Sequence, residues 1–276
     1  MKLRQIGAAM SGLLLAASLV ACGGSQGSSS GGTAASGSEG GSAKATVYKI
    51  ATDTTFAPFE YAESDGTYVG IDVELLAAIA QNQGFTYELE PVGFDAALQN
   101  VQAGQADGVI AGMSITDERK EVFDFSQPYY DSTVCAAVSD TAIKSLDDLK
   151  GKNVAVKNGT MSADWAKSLA EQYGFTMTTF DTSDVMYQDV LAGNSAACFE
   201  DTPVMSYAIS TGGVKLTIIA EAESTSKFAT PYGFAVNKGK NAELLKMFDE
   251  GLANIKADGT YQKIVDKYVQ SVESKS

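Results

Sequence analysis

The chain has 276 residues, with 34 Asp and Glu against 20 Lys and Arg, no histidine and a formal charge of −14. That acidic balance argues against a nucleic-acid partner, because phosphate contacts need a basic face. Without histidine the usual general base and the commonest zinc ligand are missing, so no metal and no other cofactor is implied.

Lys2 and Arg4 form a charged head, followed by a mostly apolar stretch over residues 6–20. This stretch is short and rich in small side chains, which suits a signal peptide better than a membrane span. Leu19-Val20-Ala21-Cys22 has the form of a lipoprotein processing site. Residues 1–21 are therefore read as a signal peptide and Cys22 as a lipidated N-terminus. Beyond Cys22, residues up to 43 are almost all Gly, Ser, Ala and Thr, with Gln26 and Glu39 the only larger polar side chains. Such a segment buries no apolar area and reads as a flexible tether over 22–43, with a random-coil span of about 25 Å. Two acyl chains hold a membrane far more firmly than one. The body is thus expected to be lipid-anchored on the extracytoplasmic face of the cell membrane.

Residues 44–276 suffice for one large domain or two smaller lobes. A strand is predicted over 47–52. A helix over 72–82 follows, with Leu75, Leu76 and Ile79 on one face and Gly84 as its cap. Next come a strand over 87–91, a helix over 95–103 stopped by Gly104, and a strand over 107–111. The alternation restarts near Ser145. It gives a short helix over 146–149, a strand over 153–156 and a helix over 162–173 in which Trp165 is a packing residue. A strand over 176–180, a helix over 183–192 and a strand over 196–199 complete it. The stretch 242–268 reads as helical. Alternating strands and helices predict an α/β fold with two mainly parallel sheets flanked by helices. Cys135 and Cys198 lie in apolar surroundings and read as buried free thiols, with a disulfide left open.

Candidate chemistry concentrates where the strand over 107–111 ends, in Ala111-Gly112-Met113-Ser114-Ile115-Thr116-Asp117-Glu118-Arg119-Lys120. Small residues at a strand end let a ligand approach the backbone, and Arg119 offers a bidentate grip on a carboxylate. A plain turn with a surface Arg is the alternative. Asp201 follows the strand over 196–199 and precedes Thr202-Pro203, which suits either a ligand group or a helix N-cap.

This stretch resembles the signature of the polar amino-acid family of ABC-transporter solute-binding proteins, which have the two-lobed type II periplasmic-binding-protein fold. Asp53-Thr54-Thr55-Phe56, Gly70-Ile71-Asp72-Val73-Glu74, Lys157-Asn158-Gly159-Thr160, Glu200-Asp201-Thr202-Pro203 and Ala257-Asp258-Gly259-Thr260-Tyr261 match it too, in family order. The resemblance implies one lobe from 44–131 plus 230–276, a second from 132–229, and hinge strands near 132–138 and 232–236. It also implies a small-molecule L-amino acid ligand, a separate membrane permease as partner, a monomeric body and no enzymatic activity.

The resemblance further implies a division of labour in the site. Arg119, with backbone N–H groups at Ser114 and Met161, would hold the α-carboxylate. Asp201, with the Ser114 hydroxyl and the Gly112 carbonyl, would hold the α-ammonium. Phe56 and Phe94 would sandwich the side chain. Asp53, Lys157 and Glu200 line the same region in the resembled proteins, and Asp53-Thr54-Thr55-Phe56, Ala111-Gly112 and Lys157-Asn158-Gly159-Thr160 look most like the glutamine-binding branch, where Lys and Asp together satisfy a carboxamide. Glu200 departs from that pattern: it would either face a cationic ligand, favouring arginine or lysine, or pair with Lys157. Glutamine is the favoured ligand. A basic amino acid is the alternative, and a dehydratase-type enzyme on the same fold, using Glu200 and Asp201 as an acid–base pair, is the more remote one.

Overall fold

The computed structural model describes residues 46–211 and 213–273. The expected signal peptide, Cys22 and the tether lie outside the described residues. Strand β1 (Val47–Thr52) ends in three buried residues, and three short strands follow: β2 (Thr55–Phe56), β3 (Glu60–Ala62) and β4 (Tyr68–Val69). These three pair into a small antiparallel sheet that the sequence does not announce, because two- and three-residue strands carry no readable alternation. Gly70 then starts helix α1 (Ile71–Gln83) at φ 131, where a Cβ would lie 2.1 Å from the Phe59 carbonyl oxygen.

Leu75, Leu76 and Ile79 of α1 are buried, as their spacing predicts. Strand β5 (Thr86–Pro91), helix α2 (Phe94–Gln102), strand β6 (Gly108–Val109), the one-turn helix α3 (Asp117–Lys120) and strand β7 (Phe123–Phe125) follow. β1 runs parallel to β5 on one side and to β6 on the other. The sheet is completed by a late strand between β6 and β7, described below.

The chain then builds a second sheet. Strand β8 (Val134–Val138) is buried at every residue, and a 3-10 turn (Leu146–Leu149) leads to strand β9 (Asn153–Lys157). Helix α4 (Met161–Tyr173), strand β10 (Thr176–Phe180), helix α5 (Ser183–Leu191), strand β11 (Ala197–Asp201), helix α6 (Thr202–Ser210) and strand β12 (Thr217–Glu221) follow. The order is β10-β9-β11-β8-β12, parallel through β10, β9 and β11 and antiparallel beyond. Strand β13 (Ala235–Asn237) returns to the first sheet, whose order is β5-β1-β6-β13-β7. Two α/β lobes result, each with its own apolar core.

The crossings between sheets differ from the expected 132–138 and 232–236. Val134–Val138 is an interior strand of the second sheet and Ala235–Asn237 an interior strand of the first, so the linking segments are residues 126–133 and 222–234. They touch where the Tyr232 N–H donates to the Tyr130 carbonyl at 2.7 Å. The helical tail is also two helices, α7 (Ala242–Ala257) and α8 (Thr260–Glu273). Gly259 at φ 80 breaks it, and Asp258 accepts from the Thr260 N–H. Both helices pack on the first lobe, and Gly251 lets α7 approach Ile79 of α1 closely. Cys135 and Cys198 are buried free thiols on adjacent strands. No helix among the described residues is long and apolar enough to cross a membrane.

Candidate functional site

One cleft gathers Asp53, Phe56, Phe94, Gly112, Ser114, Arg119, Lys157, Thr160, Met161 and Asp201, together with Ala111, which opens the motif that runs to Arg119. Each comes from the end of a strand or the start of a helix, where backbone leaves the sheet. Asp53 follows β1, and its Oδ1 accepts from the Thr54 N–H at 2.6 Å. Its Oδ2 accepts from the ammonium of Lys157, the last residue of β9, and both side chains are about fully buried, at 1% exposure each. A buried charge survives only with a partner, so this ion pair ties the lobes together. The Lys157 Nζ also lies 4.8 Å from the Phe56 ring centre and 5.9 Å from that of Phe94. Burial lowers the Lys157 pKa, but Asp53 and Glu200 more than offset it, leaving it above the ordinary lysine value.

Arg119 sits on α3, whose cap Thr116 accepts from the Arg119 N–H. Its Nη1 donates to the Ser114 carbonyl and its Nη2 to the Gly159 carbonyl, each at 2.9 Å. The guanidinium stacks 5.4 Å from the centre of Phe94. Burial lowers its pKa and the charge of Asp201 opposes that.

Asp201 ends β11 and occupies the N-cap position of α6, yet its side chain makes no capping bond. Oδ2 accepts from the Tyr232 hydroxyl, while Oδ1 is buried without a partner. Burial and the neighbouring Glu200 push the carboxyl up to about 7, against the pull of Tyr232, Arg119 and Lys157. An unpaired buried carboxylate oxygen is costly unless a ligand or proton meets it.

Glu200 goes elsewhere. The strand extends two residues past its predicted end, so Glu200 and Asp201 point to opposite faces. Glu200 Oε2 accepts from Ser183 Oγ at 2.7 Å and the Tyr187 hydroxyl at 2.9 Å, and Oε1 from the Asp201 N–H. It does not line the cleft and is not the ion-pair partner of Lys157, which corrects both expectations for it. Thr160 reaches the cleft, but its hydroxyl is committed: it caps α4 through the Ala163 N–H and donates to the Lys157 carbonyl. Trp165 packs against Phe199 away from the cleft.

Two glycines shape the opening. At Gly112 (φ 52) a Cβ would lie 2.4 Å from the Phe56 ring, and at Gly159 (φ 68) one would meet Asp95 Oδ1 across the lobes at 2.7 Å. Asp95 itself accepts from Asn158. Gly159→Ala is therefore expected to lower stability by about 1 kcal/mol through left-handed strain. It should also weaken ligand affinity, because the Asp95 contact exists only when the lobes meet. Melting and titration of the variant check both effects.

Sequence reasoning missed what stands behind the cleft. The Gly112 N–H donates to Asp72 Oδ2 at 2.8 Å, as does the Tyr129 hydroxyl at 2.7 Å. Asp72 Oδ1 and both Glu60 oxygens are buried acceptors without a donor, and the two carboxyls face one another. A proton on Glu60 resolves this, and burial, with Asp72 and Asp53 nearby, raises Glu60 well above the usual range. A signal was available, since Asp72 lies on the apolar face of α1 with Leu75, Leu76 and Ile79.

Two α/β lobes joined by two crossings, with a buried polar cleft between them, define a bilobed ligand-binding protein. The chain belongs to the bacterial extracellular solute-binding proteins, family 3, whose model matches residues 48–271. It is 32% identical to the arginine-binding extracellular protein ArtP of Bacillus subtilis, over 86% of this chain and 90% of that one. Among solved structures it is similar to substrate-binding domain 2 of Lactococcus lactis GlnP in an open conformation. There the identity is 48%, covering 82% of this chain and 96% of that one, with a TM-score of 0.58. It is also similar to an ancestral arginine-binding protein bound to glutamine, at 37% identity, covering 80% and 97%, with a TM-score of 0.72.

Proposed function

We propose that the chain is the extracytoplasmic capture component of an ABC importer for a polar L-amino acid, glutamine above others. The observation that carries the amino-acid reading is Arg119 and the unpartnered Asp201 Oδ1 in one cleft. A guanidinium for an α-carboxylate and a free carboxylate oxygen for an α-ammonium are what a zwitterion requires once its water is removed. Closure of lobes 44–131 plus 230–276 and 132–229 about the two crossings brings these groups together, so bound ligand favours the closed form.

The Asp53–Lys157 pair supports glutamine. It presents one acceptor and one donor with no net charge between Phe56 and Phe94, which matches a carboxamide. With Glu200 turned away, a guanidinium meets only Asp53, already held by Lys157, and is repelled by the ammonium. A basic ligand is the second reading. It is favoured by the arginine-binding names of relatives and requires Lys157 to leave Asp53. An acid–base enzyme is disfavoured because Glu200 and Asp201 do not share the cleft. Cys22 as the lipid anchor, a monomeric body and a separate permease complete the proposal. Calorimetric titration of ligand-stripped protein tests it: glutamine is expected to bind one-to-one and at least about tenfold tighter than arginine. Tighter arginine binding would reverse the choice, and silence across the polar amino acids would remove the ligand class.

A further inference from the structure

Tyr232 is fully buried in the second crossing and does not line the cleft, yet it stands directly behind Phe56, Gly112, Ser114 and Asp201, which do. Its backbone bridges to Ser114 and Tyr130. The N–H donates to the Tyr130 carbonyl, and its own carbonyl accepts from the Tyr129 N–H at 2.9 Å. Its ring lies 6.4 Å from Phe56 and edge-on to Phe59 at 5.0 Å, and a Cβ on Gly112 would come within 3.4 Å of it. The hydroxyl donates to Asp201 Oδ2, and Ser132 Oγ, on the first crossing, donates to that hydroxyl at 3.0 Å. The oxygen of one phenol thus joins both crossings to the second-lobe carboxylate.

Asp201 has an alternative. At an N-cap position a carboxylate ordinarily turns to the first N–H groups of its helix. Here it makes no such bond. With Oδ2 held by Tyr232, Oδ1 is left at the cleft without a partner. We infer that Tyr232 is a positioning residue for the ligand ammonium: its hydroxyl, fixed where the two crossings meet, turns Asp201 away from capping and toward the cleft. This rests on the reading of Asp201 as the ammonium acceptor. It adds that the carboxylate is aimed from the segment about which the lobes move, so loss of one hydroxyl outside the cleft acts on the ammonium alone.

The charged and titratable groups facing Asp201 are Glu200 on its own strand, Arg119 from α3, Lys157 from the end of β9, the Cys135 thiol from the neighbouring β8 and Tyr232 from the crossing. Tyr232→Phe removes only the last of these and keeps the ring. Two readouts follow. In calorimetry, affinity for glutamine should fall about ten- to a hundredfold, as for loss of a hydrogen bond to a charged group. The same amide acid lacking the α-amino group should bind wild type and variant equally. An equal loss for both ligands would make Tyr232 a general structural residue and overturn the inference. Independently of any ligand, the Asp201 carboxyl, followed by carbon-detected NMR, should titrate at a higher pH in the variant, because a bond favouring the ionised form is gone. An unmoved titration overturns the positioning role even if amino-acid binding is absent. Shifted titration without amino-acid binding would sink the proposed ligand class and leave the positioning intact. Ser132→Ala, which weakens the hydroxyl as a donor, should move the titration the same way by less. It serves if Tyr232→Phe does not fold, and no shift in it is then decisive against the role.

Discussion

Arg119→Ala is expected to reduce amino-acid affinity by at least about a hundredfold, on the order of 3 kcal/mol, while leaving the melting of the unliganded protein within about 1 kcal/mol of wild type. Arg119 lies, partly buried, on a one-turn helix none of whose residues belongs to an apolar core. Its planar fork spans the Ser114 and Gly159 carbonyls and stacks on Phe94, so the charge is oriented before any carboxylate arrives. Removing it leaves a carboxylate dehydrated without a counter-charge. It also removes a bond between the lobes, so closed and bound forms suffer together. Arg119→Lys should recover only a minor part, because a single ammonium cannot face two carbonyls and a carboxylate in one plane. Titration calorimetry beside thermal melting separates the effects. Affinity within about threefold of wild type, or near-complete rescue by lysine, would show that Arg119 is a surface charge.

Legibility followed length and periodicity. The buried face of α1 was readable because several residues repeat one period, and β1 and β5 were readable as strands, though not their pairing. The small sheet of β2, β3 and β4 was not readable, since strands of two or three residues are too short to show an alternation. The residues that the cleft gathers, Ala111 included, all stand in or beside the family motifs apart from Phe94. What failed was direction. Ending a strand at Phe199 instead of Asp201 leaves the faces of Glu200 and Asp201 undefined, and only the extra two residues send one to Ser183 and Tyr187 and the other to the cleft. Asp53 and Lys157 are 104 positions apart, so their pairing depends on how the lobes meet. The same holds for Tyr232, which looks like one more aromatic in a crossover until its hydroxyl is seen on Asp201.

Acid is expected to strengthen the unliganded fold and weaken the ligand complex over the same pH range. Burial, with Glu200 beside it, pushes Asp201 up to about 7, burial pushes Asp72 up to about 6, and Glu60 and Glu200 are raised in the same direction by burial. In the unfolded chain such groups titrate near about 4. Between those values the folded protein holds more protons than the unfolded one, so these groups stabilise fully at the acid end and lose that contribution as pH rises through 6 to 7. Asp65, Asp124, Asp148 and Asp258 behave oppositely, held low by hydrogen bonds, but their contribution disappears only below about 4. A window from about pH 7.5 to 5.5 therefore isolates the buried acids, and Tm of the unliganded protein should rise across it. Ligand binding runs the other way, because an ammonium needs Asp201 ionised. Affinity should fall by up to about tenfold for each pH unit below about 7, with a proton released on binding. Asp201→Asn should flatten the affinity profile at a low level while leaving the part of the Tm rise that belongs to Asp72 and Glu60. Parallel movement of Tm and affinity with pH would mean that Asp201 does not meet the ammonium. The carboxyls behind Gly112, with Glu200, would then carry the proton linkage.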